Sequence, residues 1–204
     1  ERLAILTVRD GKGEERTAGA LQGLSALDNR FLENPALAMD QCRVACAHMA
    51  EVTREALDTA MSLLHDYDET KVALVHENET IVDQYEDRLG TYLVQVAKNE
   101  MQTKDSHTLS VLLHSIGDIE RISDHAVIIA NAAKEIYDKN LSFSEAAVEE
   151  LEVFSAAVRK VVEIAMEAMK DEALAMAGKL EPLEEVIDDL GDEMEKRHID
   201  RLRE

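Results

Sequence analysis

The stretch Leu109-Ser-Val-Leu112-Leu-His-Ser-Ile116-Gly-Asp-Ile-Glu120-Arg-Ile-Ser-Asp124-His-Ala-Val-Ile-Ile-Ala130 decides the fold. On a wheel of about 100° per residue, with Ile116 at zero, Leu109, Leu112, Ile119, Val127 and Ala130 cluster on one side. That is the apolar stripe of a helix packed on a core. The stretch sits in a span, Ala36 to Glu181, that contains no proline and has glycine only at 90, 117 and 178. Ala, Leu, Glu, Met and Lys dominate the span, and all favour helix.

Working outward, the pattern predicts long helices over about 36–65, 69–103, 106–138, 143–178 and 181–204. Asp66 and Asp68 mark the first junction, and Thr103, Asp105 and Ser106 can cap the third helix. Ser142, three residues before Glu145, has the spacing of a capping box, and Pro182 suits a first turn. Long helices joined by short loops run antiparallel, so the expected class is all-α, an elongated antiparallel bundle. Residues 1–34 differ. They hold half of the 8 glycines and read as a loosely structured lead-in linker, with a short apolar segment at Leu3–Val8.

Composition narrows the function. The chain has 204 residues, with 43 acidic against 22 basic side chains and a net charge of −21. A nucleic-acid groove needs a basic face, so nucleic acid is not expected as a partner. Two cysteines exclude a disulfide scaffold and suit a reducing compartment. No apolar run reaches the roughly 18 residues of a membrane span. The chain opens at Glu1 and reads as an excised piece of a longer protein.

An internal repeat follows. Glu79-Thr-Ile-Val-Asp83-Gln-Tyr85 aligns with Glu184-Glu-Val-Ile-Asp188-Asp-Leu190, 105 residues further on. Two three-helix units fit that offset, the first over 35–140 and a truncated second over 141–204. With Val82 at zero on the second helix, Glu86 falls at about 40°, Glu79 at about 60° and Asp83 at about 100°. On the third helix Glu120 falls at about 40° and Asp124 at about 80°, whereas Arg121 and His125 point away. Glu184 and Asp188 repeat the 60° and 100° placement on the fifth helix. Carboxylates beside an apolar seam are costly unless paired or bound to a cation, and two at i and i+4 repel. The oxygen-only donor set suits a hard cation, with iron, manganese or magnesium expected. The alternative for any one Glu-x-x-x-Asp is an ordinary solvated face.

The segment Leu112-Leu-His-Ser-Ile-Gly-Asp-Ile-Glu120-Arg-Ile-Ser-Asp124-His-Ala126 resembles the PhoU signature, Glu-Arg-Ile-Gly-Asp-His-Ala after a Leu-rich helix. Glu79-x-x-x-Asp83-x-Tyr85-Glu86 resembles the acidic motif on the preceding PhoU helix, and Glu184-x-x-x-Asp188 its copy. Leu27-Asp-Asn-Arg-Phe-Leu-Glu-Asn-Pro-Ala-Leu-Ala38 resembles the start of the cytoplasmic PhoU-like region of bacterial sodium/phosphate cotransporters. The resemblance implies two three-helix repeats, multinuclear clusters of divalent or trivalent metal, and a role in phosphate uptake. It carries metal binding onto Glu79, Asp83, Glu120, Asp124, Glu184 and Asp188, with Glu86 near enough to join. It implies a module at the cytoplasmic face of the cell membrane, whose partner is the transporter domain of the same polypeptide. The family's glycine is Ser123 here, and the second repeat lacks its last helix. The apolar face so left makes a homodimer a candidate arrangement.

Other features weigh less. Cys42 and Cys46, at i and i+4, read as buried small residues rather than zinc ligands. Glu195-Lys-Arg-His198 matches one Glu-x-x-His of a di-iron bundle, and ferritin-like sites need two, so His198 reads as a core-edge residue. No phosphate loop or nucleophile motif is present, and no catalysis is expected. Beside the regulatory metal-binding module stand two other readings, a structural helical signalling bundle and a di-iron carboxylate protein.

Overall fold

The computed structural model describes residues 16–171, 178 and 180–203. Among them are five long helices and no strand: α1 (Pro35–Leu63), α2 (Glu69–Val96), α3 (Thr103–Asp138), α4 (Glu145–Asp171) and α5 (Leu180–Arg201). A helical turn over 16–20 and two 3-10 helices, Leu21–Ala26 and Asn29–Glu33, precede them. The all-α class expected from the sequence is the class observed.

Local chemistry sets the boundaries. The Asn34 side chain accepts from the Leu37 N–H and Pro35 takes the first helical position of α1. Asp68 accepts from the Thr70 N–H at 2.7 Å and opens α2. α2 stops at Val96, short of the expected 103, in a turn where the Lys98 N–H bonds back to Gln95. There the Asn99 amide leaves the helix and donates to the Leu32 carbonyl at 3.0 Å. Two residues past the end of α3 stands Asn140, whose φ of 53° is left-handed. The Leu141 N–H then reaches the Ile136 carbonyl at 2.9 Å, satisfying a terminal carbonyl. The cap of α4 is Ser144, which accepts from the Ala147 N–H, and not the expected Ser142.

The chain divides into two compact units, one running to Ala133 and the other from Lys134. The division falls inside α3. In the first unit α1 and α2 pack with their backbones close together. Small side chains on α1 allow it: Ala38, Cys42, Ala45, Cys46, Ala50, Ala56 and Ala60 are all buried. α3 joins through larger side chains, Leu109, Leu112, Ile116 and Ile119, and its backbone stands further off.

The expectation of a loose lead-in does not hold for residues 16–34. Leu24 is 1% exposed, the Tyr85 hydroxyl donates to the Ala20 carbonyl, and the Tyr92 hydroxyl donates to the Asp28 carbonyl. Gly23 serves a close approach, since a Cβ there would meet the Tyr85 hydroxyl and His48. The apolar segment at Leu3–Val8 lies outside the described residues.

In the second unit α4 and α5 form an antiparallel pair. Glu150 of α4 receives two parallel hydrogen bonds from Arg201, both 2.9 Å. A Cβ on Gly191 would meet the Phe154 ring at 3.8 Å, an ordinary contact. The core is thin: Ser155 and Met166 are buried on α4, and α5 buries nothing completely.

Candidate metal centre

Helices α2 and α3 bring two rows of carboxylates alongside one another. Their register is set where a Cβ on Gly90 would lie 3.6 Å from Ile116 Cδ1. That pairing puts Glu86 level with Glu120, and Glu79 and Asp83 level with Asp124. The electrostatics report the same neighbours. Glu79 is raised above the ordinary carboxylate range by loss of water, then by the charges of Asp83 and Asp124. Asp83 is raised by loss of water, then by Asp124 and Asp87. Glu120 is raised by loss of water, then by Asp124, Glu86 and Asp83. Asp83 is exposed by area, but α3 beside it thins its hydration on one side. These are the shifts of carboxylates that lose water first and feel one another's charge second. Among the described residues, none of the five is in an ion pair.

On α2 and α3 the acids lie along the edges where the two helices face one another. Glu79, Glu86 and Glu120 are half-buried, while Asp83 and Asp124 reach solvent. Among the described residues, though, no group of three or more His, Cys, Asp or Glu side chains is arranged to hold an ion. The donor chemistry fits a hard cation. The side chains stand as a double row and do not meet at a point. Behind the row, Ser123 is 1% exposed and its hydroxyl has no hydrogen-bond partner.

Glu184 and Asp188 are not part of this. Both are exposed on α5, in the other unit. The acid turned toward the α4–α5 contact is Glu150, and Arg197 and Arg201 neutralise it. Cys42 and Cys46 are buried, and burial pushes both thiols up to about 12, so neither is a ready thiolate ligand. Glu195 and His198 are exposed, and His198 does not take the core-edge position expected of it.

Residues 46–133 match the PhoU domain. The PhoU match runs from mid-α1 into α3 and contains Glu79, Asp83, Glu86, Glu120 and Asp124; it excludes Glu184 and Asp188. The chain is also 24% identical over 157 residues to the phosphate-specific transport system accessory protein PhoU homolog 1 of Thermotoga maritima. That alignment covers 76% of this chain and 67% of the relative. No solved structure matches. No helix among the described residues is long and apolar enough to cross a membrane.

Sequence reasoning missed one polar group. Asn78 is fully buried and binds Arg16 and Glu55. A signal existed, since Asn78 lies about 40° from Val82, inside the apolar stripe.

Proposed function

We propose that the chain is a PhoU-like regulatory module of phosphate uptake, with its α2–α3 carboxylates as a cation site. The cation is iron, manganese or magnesium. The observation that carries this is the double row itself. Five carboxylates, none of them in an ion pair among the described residues, crowd one helix–helix edge inside the PhoU match. Like charges so placed destabilise the folded chain unless a cation relieves them. Glu79, Asp83, Glu120 and Asp124 would hold it, with Glu86 as an additional donor. Bound cations would supply charge neutralisation and hold α3 against α2. A modest turn of the side chains is needed, because they do not converge unaided.

The PhoU match and the name of the Thermotoga relative support a role in phosphate transport. The further proposal is that it serves a sodium-dependent phosphate transporter at the cytoplasmic face of the membrane, with the transporter domain in the same polypeptide. The likeness of Leu27–Ala38 to the start of the cotransporters' PhoU-like region supports that attachment. No reacting group is assigned to it.

The test is sodium-dependent phosphate uptake by cells whose own gene carries Asp83→Asn with Asp124→Asn. Altered uptake, or altered control of uptake by external phosphate, is expected. Uptake indistinguishable from wild type in both respects would remove the carboxylate row from the function.

A further inference from the structure

On the opposite flank of α2 from the carboxylate row lies a second charged constellation. Asn78 is 0% exposed, and its Oδ1 accepts from Arg16 Nη2 at 2.8 Å while its Nδ2 donates to Glu55 Oε2 at 3.4 Å. Arg16 Nη2 also stands 3.1 Å from Glu77 Oε2, and its Nη1 3.5 Å from Glu55 Oε2. The neighbouring Thr17 hydroxyl donates to Glu77 Oε1 at 2.6 Å. One carboxylate from α1, one from α2 and a buried amide oxygen are thus spread across the two ends of a planar fork. A guanidinium spans such a set with parallel donors, and a compact ammonium does not.

The segment that delivers Arg16 is lightly held. Of residues 16–34, Gly23 and Leu24 are buried and the remainder are half-buried or exposed. Beyond the packing of Gly23 and Leu24, single hydrogen bonds anchor it, from Tyr85 to Ala20, Tyr92 to Asp28 and Asn99 to Leu32. Segments with few buried apolar contacts open at lower free energy than the core beneath them. Opening here lets water reach Asn78, Tyr85 and Tyr92, so their polar atoms need not stay unpaired.

The geometry points to a guanidinium-binding notch, built from Glu55, Glu77 and Asn78, which Arg16 occupies in cis as the closure of a latch formed by residues 16–34. The latch opens as a unit while the α1–α2 pair stays folded. The open notch accepts an arginine side chain. The notch shares no residue with the carboxylate row and stands whether or not that row binds a cation.

Hydrogen exchange on the full chain tests this, using wild type, Arg16→Ala and Arg16→Lys. In wild type, amides 20–28 exchange faster than those of the buried α1–α2 core. Arg16→Ala speeds exchange at 20–28 by about tenfold and leaves the core unchanged. Arg16→Lys resembles Arg16→Ala. Millimolar methylguanidinium chloride returns Arg16→Ala toward wild type, and methylammonium chloride at equal ionic strength does not. Four results overturn the inference: exchange at 20–28 as slow as the core in wild type; no change in Arg16→Ala; equal acceleration of core and segment; or equal rescue by lysine or methylammonium.

Discussion

The Tyr85 hydroxyl and Gly23 are fitted so closely that a Cβ on Gly23 would lie 2.6 Å from the phenolic oxygen. The same Cβ would stand 2.8 Å from His48, while the hydroxyl donates to the Ala20 carbonyl at 2.7 Å. Gly23 is thus the residue that lets the lead-in lie down on α1 and α2. Gly23→Ala is expected to cost about 1–3 kcal/mol by overpacking, and Tyr85→Phe about 1 kcal/mol by loss of one hydrogen bond. Urea midpoints of the two variants against wild type measure both. A neutral Gly23→Ala would mean that the lead-in docks differently.

Replacing Asp83 and Asp124 together by Asn removes charges that Glu79 and Glu120 feel along their own helix and across the helix pair. Tight divalent binding should be lost by calorimetry, with helix content by circular dichroism unchanged. Stability without metal should rise by about 0.5 kcal/mol, since like charges are relieved. Equal divalent affinity in both proteins would return these acids to a solvated face.

The raised carboxyls fix the sign of a pH effect. Glu79, Asp83 and Glu120 hold their protons more tightly folded than unfolded. The folded state therefore binds more protons between their ordinary values, 4.5 for the glutamates and 3.8 for the aspartate, and their raised values. Stability from these groups falls as pH rises through that window and is gained on mild acidification. Asp28 and Asp68 are lowered by hydrogen bonds from Arg30 and Thr70, so their contribution is lost at lower pH still. Metal-free protein should show a thermal-stability maximum at mildly acidic pH. Glu79→Gln with Glu120→Gln should flatten the acidic rise, and an unchanged pH profile would deny that these acids interact.

In the second unit, Glu150 is 13% exposed at its side chain and is gripped by the Arg201 fork. Arg201→Lys keeps the charge but loses the paired geometry. Exchange in the last turn of α5 should accelerate in Arg201→Lys nearly as much as in Arg201→Ala. If lysine preserves protection, charge alone holds the α5 end.

The thiols of Cys42 and Cys46, pushed up to about 12 by burial, should be silent to a disulfide reagent at neutral pH. Both should appear together on unfolding in urea. Reaction in the native state at the rate of a free thiol would contradict their burial.

The helices, their order and the edge of each that carries acids were determined by the sequence itself. Helical periodicity is a property of residues three and four apart, so Ile116, Glu120 and Asp124 declare their relative directions without any partner. The same rule gave Glu184 and Asp188 matching angles, yet an angle on one helix does not supply a neighbour, and α5 leaves both exposed. The cap of α4 shifted by two residues, Ser144 in place of Ser142, because two nearby hydroxyl residues can each serve and only the chain path chooses. What tertiary structure alone decided was contact between distant segments: Arg16 with Asn78, Tyr85 with Ala20, Tyr92 with Asp28. The four glycines read as a flexible linker by composition, and at Gly23 the missing side chain instead makes room for a tyrosine hydroxyl. Such fits depend on the shape of a surface formed by two packed helices, which exists only after they have come together.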